Sequence, residues 1–440
     1  MSNGISMSAG SKLGALGTLD LLINAATFCS LGVILPSMVQ ELHWNWSTAG
    51  LGFTILGACA GGSSMVPRYL IRKFGVRTTI GAGAILMFFG FLLLSKTTNL
   101  LHYYAGAAMC GVAYQSMTMI PATFVITRVF KHTSTAIGIY ATLGALGNVL
   151  GPWMVLTTLG VEGETWRSYW MYQGVIILIL GIATAIIIGF QGEFSKPAAS
   201  ELDEEKNKPS PLPPPPQHLF GKIYRTDTDW TPKQAMATPQ FYILFASYAL
   251  ITMCLITITS LSVAHLTENG VSNRMAAGML SLEASVAVIM RAVSGYLGDR
   301  MEPKKLLTAA LLTTSIGTLL LANFHEDHSL FVYAIGTGIG FGTVQLCCTI
   351  LLLNYFGRKY NLELFSTMLL GGAISAFGPL VGGIIRDTTG SFVPVFLILF
   401  ILSLATGIMT LFMRPPVLKP SSERQFPENE PYAQTAATNN

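Results

Sequence analysis

The chain has 440 residues, 51% of them hydrophobic and 11% charged, and its 26 Lys and Arg against 22 Asp and Glu leave a net charge of +4. Soluble domains carry about 25% charged residues, so this composition argues against a soluble core and for a membrane protein. A secreted disulfide scaffold and a nucleic-acid binder are disfavoured too, because the six cysteines fall inside apolar runs and the basic residues are spread along the whole chain.

The N-terminal MSNGISMSAGSK lacks a basic n-region and a small-residue cleavage site. The first apolar run, continuing to Pro36, is therefore expected to persist as an uncleaved span. About 20 apolar residues cross roughly 30 Å of hydrocarbon, and twelve such windows are predicted. In the first half they are 13–36, 47–67, 78–95, 101–126, 135–158 and 169–190. In the second half they are 240–264, 275–297, 305–323, 330–355, 364–385 and 392–413.

Residues 191–238 have a different composition, charged and proline-rich without apolar periodicity, and read as a linker. Pro213 to Pro216 favour a polyproline II spacer, with docking to an aromatic groove as the other reading. The expected organisation is a six-helix half over 1–190, a cytoplasmic linker over 191–238, a second half over 239–414 and a disordered cytoplasmic tail over 415–440.

Cytoplasmic loops retain positive charge, and the Lys and Arg pattern sets the orientation. With the N-terminus inside, inner segments hold Lys12, the group Arg68, Arg72, Lys73 and Arg77, then Arg128, Lys131, the linker lysines, and Arg300, Lys304 and Lys305. Outer loops hold only Lys96, Arg167, Arg274 and Arg386. Both termini are thus expected in the cytoplasm. Trp44, Trp46, Trp166 and Trp170 at outer span ends read as an aromatic belt. The pairs Gly57 and Gly61, Gly147 and Gly151, and Gly378 and Gly382 read as close helix-packing seams.

A charged group in hydrocarbon costs about 2.5 to 3.5 kcal/mol on insertion scales, which singles out Asp20, Glu283 and Arg291. Arg291 lies eight residues before Asp299 at the inner end of the eighth span, so about 12 Å deep and near the midplane. Its planar guanidinium suits a carboxylate: an anion-binding site in a water-filled cavity is the functional reading, and a fixed salt bridge between helices the structural one. Asp20 lies at similar depth after Lys12, and Asn24 and Thr27 extend it into a polar stripe. A desolvated Asp there would serve as a proton-coupling acid, paired with Arg291 when substrate is absent; a later start of the first span would instead leave it at the interface. Glu283, eight residues before Arg291 and about 80° around the helix, is expected near the outer surface, as a gate contact or simply exposed at the interface rather than in the central site, and is named with Asp20 as a proton-coupling candidate. Tyr114, Gln115, Asn148 and Gln345 either line a substrate path or bond neighbouring helices.

The histidines lie near span ends or in loops, and no metal-ligand cluster or cofactor motif occurs. No GxxxxGK[ST] loop occurs either, so uphill movement would draw on an ion or exchange gradient rather than ATP.

Two six-span halves, a central linker and SGYLGDRMEPKK after the eighth span resemble the major facilitator superfamily. The resemblance implies an all-α membrane protein, with twelve transmembrane helices in two pseudo-symmetric halves. Gly295, Leu297, Asp299 and Arg300 match its loop signature, implying a gating or structural role for Gly295, Asp299 and Arg300. The corresponding first-half loop, RYLIRKFGVRTT, keeps Lys73 and neighbouring basic residues but has Arg72 where the family has Asp.

The spacing Arg291, Gly295, Asp299 is similar to the monocarboxylate and oxalate/formate branch, as are RVFKHTSTAIGIYATLGALGNVLGP and NYFGRKYNLELFSTMLLGGAISAFGPLVGGIIRDTTGSF. This implies that Arg291 pairs with a substrate carboxylate. Three departures bear on cargo. Ala287 stands where animal carriers have an acid one turn before the Arg, Ser37 where some relatives have Lys, and Gly371 where oxalate exchangers have Lys in the eleventh span. A single-carboxylate site is thus expected over one for a doubly charged anion.

The expected protein is a secondary active transporter, not an enzyme, working by alternating access. It would move small monocarboxylates with protons, act as a monomer in the plasma membrane (the inner membrane of a Gram-negative cell), and bind substrate through Arg291, Asn24, Tyr114, Gln115 and Gln345. Export or carriage of another small organic solute is the alternative within transport. A non-transporting receptor or scaffold is the alternative outside it.

Overall fold

The computed structural model describes residues 9–130, 133–189, 223–226, 228–298, 300–324, 327–357 and 359–417. Asp299, Pro213 to Pro216 and the tail from 418 lie outside the described residues.

The first span runs as α1 (Ala9–Asn24), a π-helical turn (Ala25–Cys29) and α2 (Ser30–Leu42). It is followed by α3 (Trp46–Gly62), α4 (Met65–Phe74), α5 (Val76–Ser95), α6 (Leu100–Met117), α7 (Met119–Val129), α8 (Thr133–Leu159) and α9 (Trp166–Ile188). After the short α10 (Pro232–Met236) come α11 (Pro239–Glu268), α12 (Asn273–Gly298), α13 (Pro303–Ala322) and α14 (Asp327–Phe356). The chain then passes through α15 (Asn361–Ser375) and α16 (Gly378–Thr389) to α17 (Val393–Phe412).

Ten helical stretches among the described residues are long and apolar enough to cross a membrane, and α3 with α4, bent by 47°, adds an eleventh. The one remaining predicted window, 364–385, is covered by α15 and α16, of 15 and 12 residues, which part at Ala376 and Phe377. Large apolar side chains on the outside of the bundle, such as Ile179, Ile186, Ile401 and Phe412, are exposed, as suits lipid contact.

Helix boundaries follow local chemistry. The Asn99 side chain caps α6 by accepting the His102 N–H at 3.0 Å, and Thr238 caps α11 from the Phe241 N–H. Gly75, at φ 90°, makes the turn between α4 and α5 in a region that favours glycine.

The bundle has a linker end, carrying α10, and a far end, carrying residues 43–45, 96–99, 160–165 and 269–272. Two of the four basic residues expected in far-end loops are paired with acids there. Arg167 pairs with Glu41, which also accepts from Trp166 Nε1 at 2.5 Å, and Arg386 forms a two-pronged bridge with Glu268 at 3.0 and 3.1 Å. The aromatic-belt expectation fails for Trp166 and Trp170, which are only 3% and 1% exposed. Trp170 stacks on Phe91 inside the bundle, with ring centroids 5.4 Å apart.

The final part of the expected linker is packed structure. Trp230 is buried, and its N–H donates to the Phe356 carbonyl at 2.9 Å. The Tyr224 N–H donates to Glu302 at 3.3 Å. Desolvation raises the half-buried Glu302 carboxyl above its ordinary range, against that hydrogen bond and Lys304 and Lys305, which pull it down.

The Gly147 and Gly151 seam and the Gly378 and Gly382 seam form as expected. A Cβ at Gly147 would overlap the Leu21 carbonyl and stand 3.0 Å from the Ala25 N. Gly61, by contrast, has nothing within 4 Å of that position, so its pair with Gly57 is not a tight seam. Overpacking costs about 1 to 3 kcal/mol. Gly147→Val is therefore expected to lower the melting temperature of the detergent-solubilised protein, and Gly61→Ala to leave it in place.

Candidate functional site

Three glycines let the two halves touch near the far end. Gly32 lies against the Thr259 carbonyl, Gly50 against the Pro379 carbonyl and Gly383 against the Trp46 carbonyl, each too close for a Cβ. Asp387 of α16 accepts the N–H groups of Trp46 and Ser47 at 2.9 and 2.8 Å. A carboxylate from the second half thus caps the first turn of α3 in the first half, where unpaired N–H groups and the helix dipole favour negative charge.

Between the halves lie two neighbouring cavities, of about 300 and 250 Å³. Asn24, Tyr114, Ala145, Asn148 and Arg291 border both. Arg291 is exposed although it lies seven residues inside the linker-side end of α12, because it stands in this open space. Among the described residues it forms no ion pair and no hydrogen bond, and its electrostatic neighbour is Tyr248. The fixed salt-bridge reading therefore does not describe this conformation.

Asp20 is 7% exposed and borders the smaller cavity together with Arg291, without an ion pair between them. Asn24 Nδ2 donates to the Asp20 carboxylate at 3.1 Å and to its carbonyl at 2.8 Å. Tyr114 in turn donates to Asn24 Oδ1 at 2.9 Å. The buried Tyr140 hydroxyl adjoins Asp20. Gly144 makes room for the carboxylate, which a Cβ there would overlap. Burial places Asp20 inside the bundle, not at the interface. Thr27 does not extend its stripe into the cavity: it is buried and donates to the Ile23 carbonyl at 2.7 Å.

The expected position of Glu283 near the outer surface is overturned. Glu283 is 2% exposed, borders the larger cavity with Arg291, and accepts from Tyr333 at 3.1 Å. The 80° rotation between the two residues falls within the width of the cavity-facing stripe, which runs Leu280, Glu283, Ala284, Ala287, Val288, Arg291. Among the described residues Glu283 has no ion-pair partner.

Gln115 borders the smaller cavity. Gln345 donates to Thr252 Oγ1 at 3.3 Å, and Thr252, not Gln345, borders the larger one. Gly371 packs against Ala249, whereas the next residue, Gly372, faces the cavity. Arg72 and Lys73 are exposed on α4, where Lys73 donates to Tyr69 at 3.2 Å. The Arg300 guanidinium lies 3.8 Å from the Tyr296 ring centroid, and Gly295 faces Leu346. None of these residues borders either cavity. No group of three or more His, Cys, Asp or Glu among the described residues could hold a metal ion.

Sequence reasoning missed the π-helical turn Ala25–Cys29, which brings Phe28 and Cys29 to the cavity wall. Such turns occur often at functional sites. Cys29 there donates to Asn148 Oδ1 at 3.4 Å.

The profile of the Major Facilitator Superfamily matches residues 21–303 and 244–437. Among curated proteins, the human Monocarboxylate transporter 6 is 25% identical over 395 residues, covering 83% of this chain and 72% of that protein. The Oxalate:formate antiporter of Oxalobacter formigenes is 23% identical over 329 residues, covering 69% of this chain and 70% of its own length. Among solved structures, the nucleoside transporter NupG superposes with a TM-score of 0.69 at 12% identity, over 91% of this chain and 98% of that one.

Proposed function

Because the chain belongs to the Major Facilitator Superfamily and is thus a membrane transporter rather than an enzyme, we propose that it carries small organic monocarboxylates together with protons by alternating access. The observation that carries this reading is Arg291, a permanently charged guanidinium deep in the bundle, open to a cavity and without an ion-pair partner among the described residues. An unpaired charge at that depth is costly, and a substrate carboxylate can compensate it through a two-pronged hydrogen bond. The names of the curated relatives point the same way.

Asp20 and Glu283 supply two carboxyl groups on the same cavities for the proton. The linker end gathers Arg68, Arg72, Arg77, Arg128, Lys304 and Lys305 and faces the cytoplasm on the positive-inside rule. In that orientation the halves meet on the outer side, and the chain acts as a monomer in the plasma membrane or a bacterial inner membrane.

The test is uptake into proteoliposomes of labelled acetate, pyruvate and phenylacetate under an inward proton gradient. Gradient-stimulated uptake of at least one acid is expected. A folded protein that moves none of them under any gradient would overturn the reading.

Alternating access requires the outer contact to break, and the Asp387 cap on α3 is part of that contact. Loss of an N-cap carboxylate costs about 1 to 2 kcal/mol, which is about 5- to 30-fold in a two-state equilibrium. Asp387→Ala is therefore expected to shift spin-label distances between positions 162 and 388 toward a longer, outward-open population. An unchanged distance distribution would show that the cap does not bias the equilibrium.

A further inference from the structure

We infer that the preferred cargo is a monocarboxylate with a bulky apolar body, an aryl or branched-chain acid of about ten or more non-hydrogen atoms, rather than a two- or three-carbon acid. The inference rests on the monocarboxylate reading above and narrows it.

The polar groups of the larger cavity are unevenly distributed. Arg291, Asn24, Tyr114 and Asn148 gather where the two cavities meet. Along the remaining wall Glu283, Thr252 and Thr259 are interspersed among apolar side chains that include Phe28, Phe53, Phe341, Leu255, Leu280 and Val288. Phe28 sits 6.0 Å from Phe53 and 5.5 Å edge-on from Tyr114, centroid to centroid, so the first half offers a connected aromatic surface. A carboxylate held at Arg291 would have its body directed along this wall.

Volume decides the size of that body. A cavity of about 150 Å³ holds a benzene, and the larger cavity here has about 300 Å³. Acetate or lactate bound at Arg291 would leave most of the apolar wall facing water, whereas a phenyl or branched chain removes that surface from water.

The space exists because the wall is built from small residues at several points, among them Gly57, Ala284, Ala287 and Gly372. Gly372 is the informative one: a Cβ there meets nothing within 4 Å, so a larger side chain would project into open cavity. It is thereby assigned as a specificity-determining position, setting how large a body the cavity accepts.

The experiment is counterflow in proteoliposomes with acetate, lactate, isovalerate and 3-phenylpropionate, and with the neutral 3-phenylpropionamide. It is run on the full chain, on Arg291→Ala and on Gly372→Leu. One methylene in a hydrophobic pocket changes kcat/KM by about 10-fold or more. The expected result is a rise of at least 10-fold in kcat/KM from acetate to 3-phenylpropionate, lost in Arg291→Ala. Gly372→Leu is expected to lower the ratio of 3-phenylpropionate to acetate transport by at least 10-fold. If acetate or lactate is carried as well as 3-phenylpropionate, and Arg291→Ala abolishes both, the size inference falls and the monocarboxylate reading stands. If only the amide is carried, or if the folded protein carries no acid and its melting temperature moves with none, both fall.

Discussion

Arg291→Ala is expected to lower carboxylate uptake by about 100-fold or more, with Arg291→Lys restoring only part of it. The size follows from what the substitution removes. Truncating one partner of a desolvated, hydrogen-bonded charge pair costs about 2 to 5 kcal/mol, and 2.7 kcal/mol is already 100-fold. Lys returns the charge but not the planar fork that meets both carboxylate oxygens.

Because Arg291 forms no ion pair in this conformation among the described residues, removing it breaks no bond of the resting protein. The melting temperature of the Ala variant is therefore expected to hold or rise, since an unpaired charge at depth is a cost. That combination separates a binding residue from a structural one. Uptake within threefold of the wild-type chain, or a protein that unfolds without Arg291, would remove the anion-binding role.

The sequence exposed Arg291 and Asp20 for one physical reason. A helix advances 1.5 Å per residue, so counting from the charged residues at a span end gives depth, and charge at depth is rare enough to stand out. For Glu283 a depth counted only from the inner end misleads, because the residue also lies ten positions inside the far end of α12, about 15 Å deep. Angle does not separate it from Arg291 either: α12 turns a broad stripe toward the cavity, and both residues fall on it. The width of such a stripe depends on how far the halves stand apart, which no single helix encodes.

The same limit explains Trp166 and Trp170. Aromatic residues at a span end suit both a lipid interface and a helix interface, and packing against Phe91 decided for the second. Which of the adjacent Gly371 and Gly372 faces the cavity is equally illegible in the sequence, because a one-residue change of register leaves the apolar pattern intact. The π-helical turn at Ala25–Cys29 left no trace either, since its residues are as apolar as those of the helices flanking it.

These placements combine into a working arrangement. Phe28, brought to the cavity by the π-helical turn, and Arg291 from the other half border one space. Contacts between the halves at the far end, through Gly32, Gly50, Gly383 and Asp387, leave that space closed toward the far end. A ligand binding between the halves can shift the equilibrium only by its differential affinity for the two arrangements. An anion that touches Arg291 on the second half and Asn24 or Tyr114 on the first meets that requirement, because its contacts change when the halves rock.

The remaining expectation concerns the proton, and it sets Asp20 against Glu283. Each carboxyl borders a cavity that Arg291 also borders, and neither has an ion-pair partner among the described residues. They differ in their neighbours. Glu283 is held by Tyr333 within its own half. Asp20 is joined through Asn24 to Tyr114, so its hydrogen-bonded chain reaches the junction where the anion would bind. A proton carrier must respond to arrival of the anion, which favours Asp20.

Asp20→Asn keeps the shape and fixes the neutral state, so it should uncouple transport without blocking it. A symporter moving one proton with one anion accumulates substrate about 10-fold per pH unit of gradient, because each unit is worth 1.36 kcal/mol. In proteoliposomes with a one-unit inward gradient and the membrane potential clamped at zero, the wild-type chain is expected to approach that ratio. Asp20→Asn is expected to fall to a ratio near one while still exchanging labelled for unlabelled acid. Glu283→Gln is expected to keep accumulating. Accumulation persisting in Asp20→Asn and vanishing in Glu283→Gln would move the proton to Glu283. Accumulation persisting in both would remove the proton role from these two carboxyls altogether.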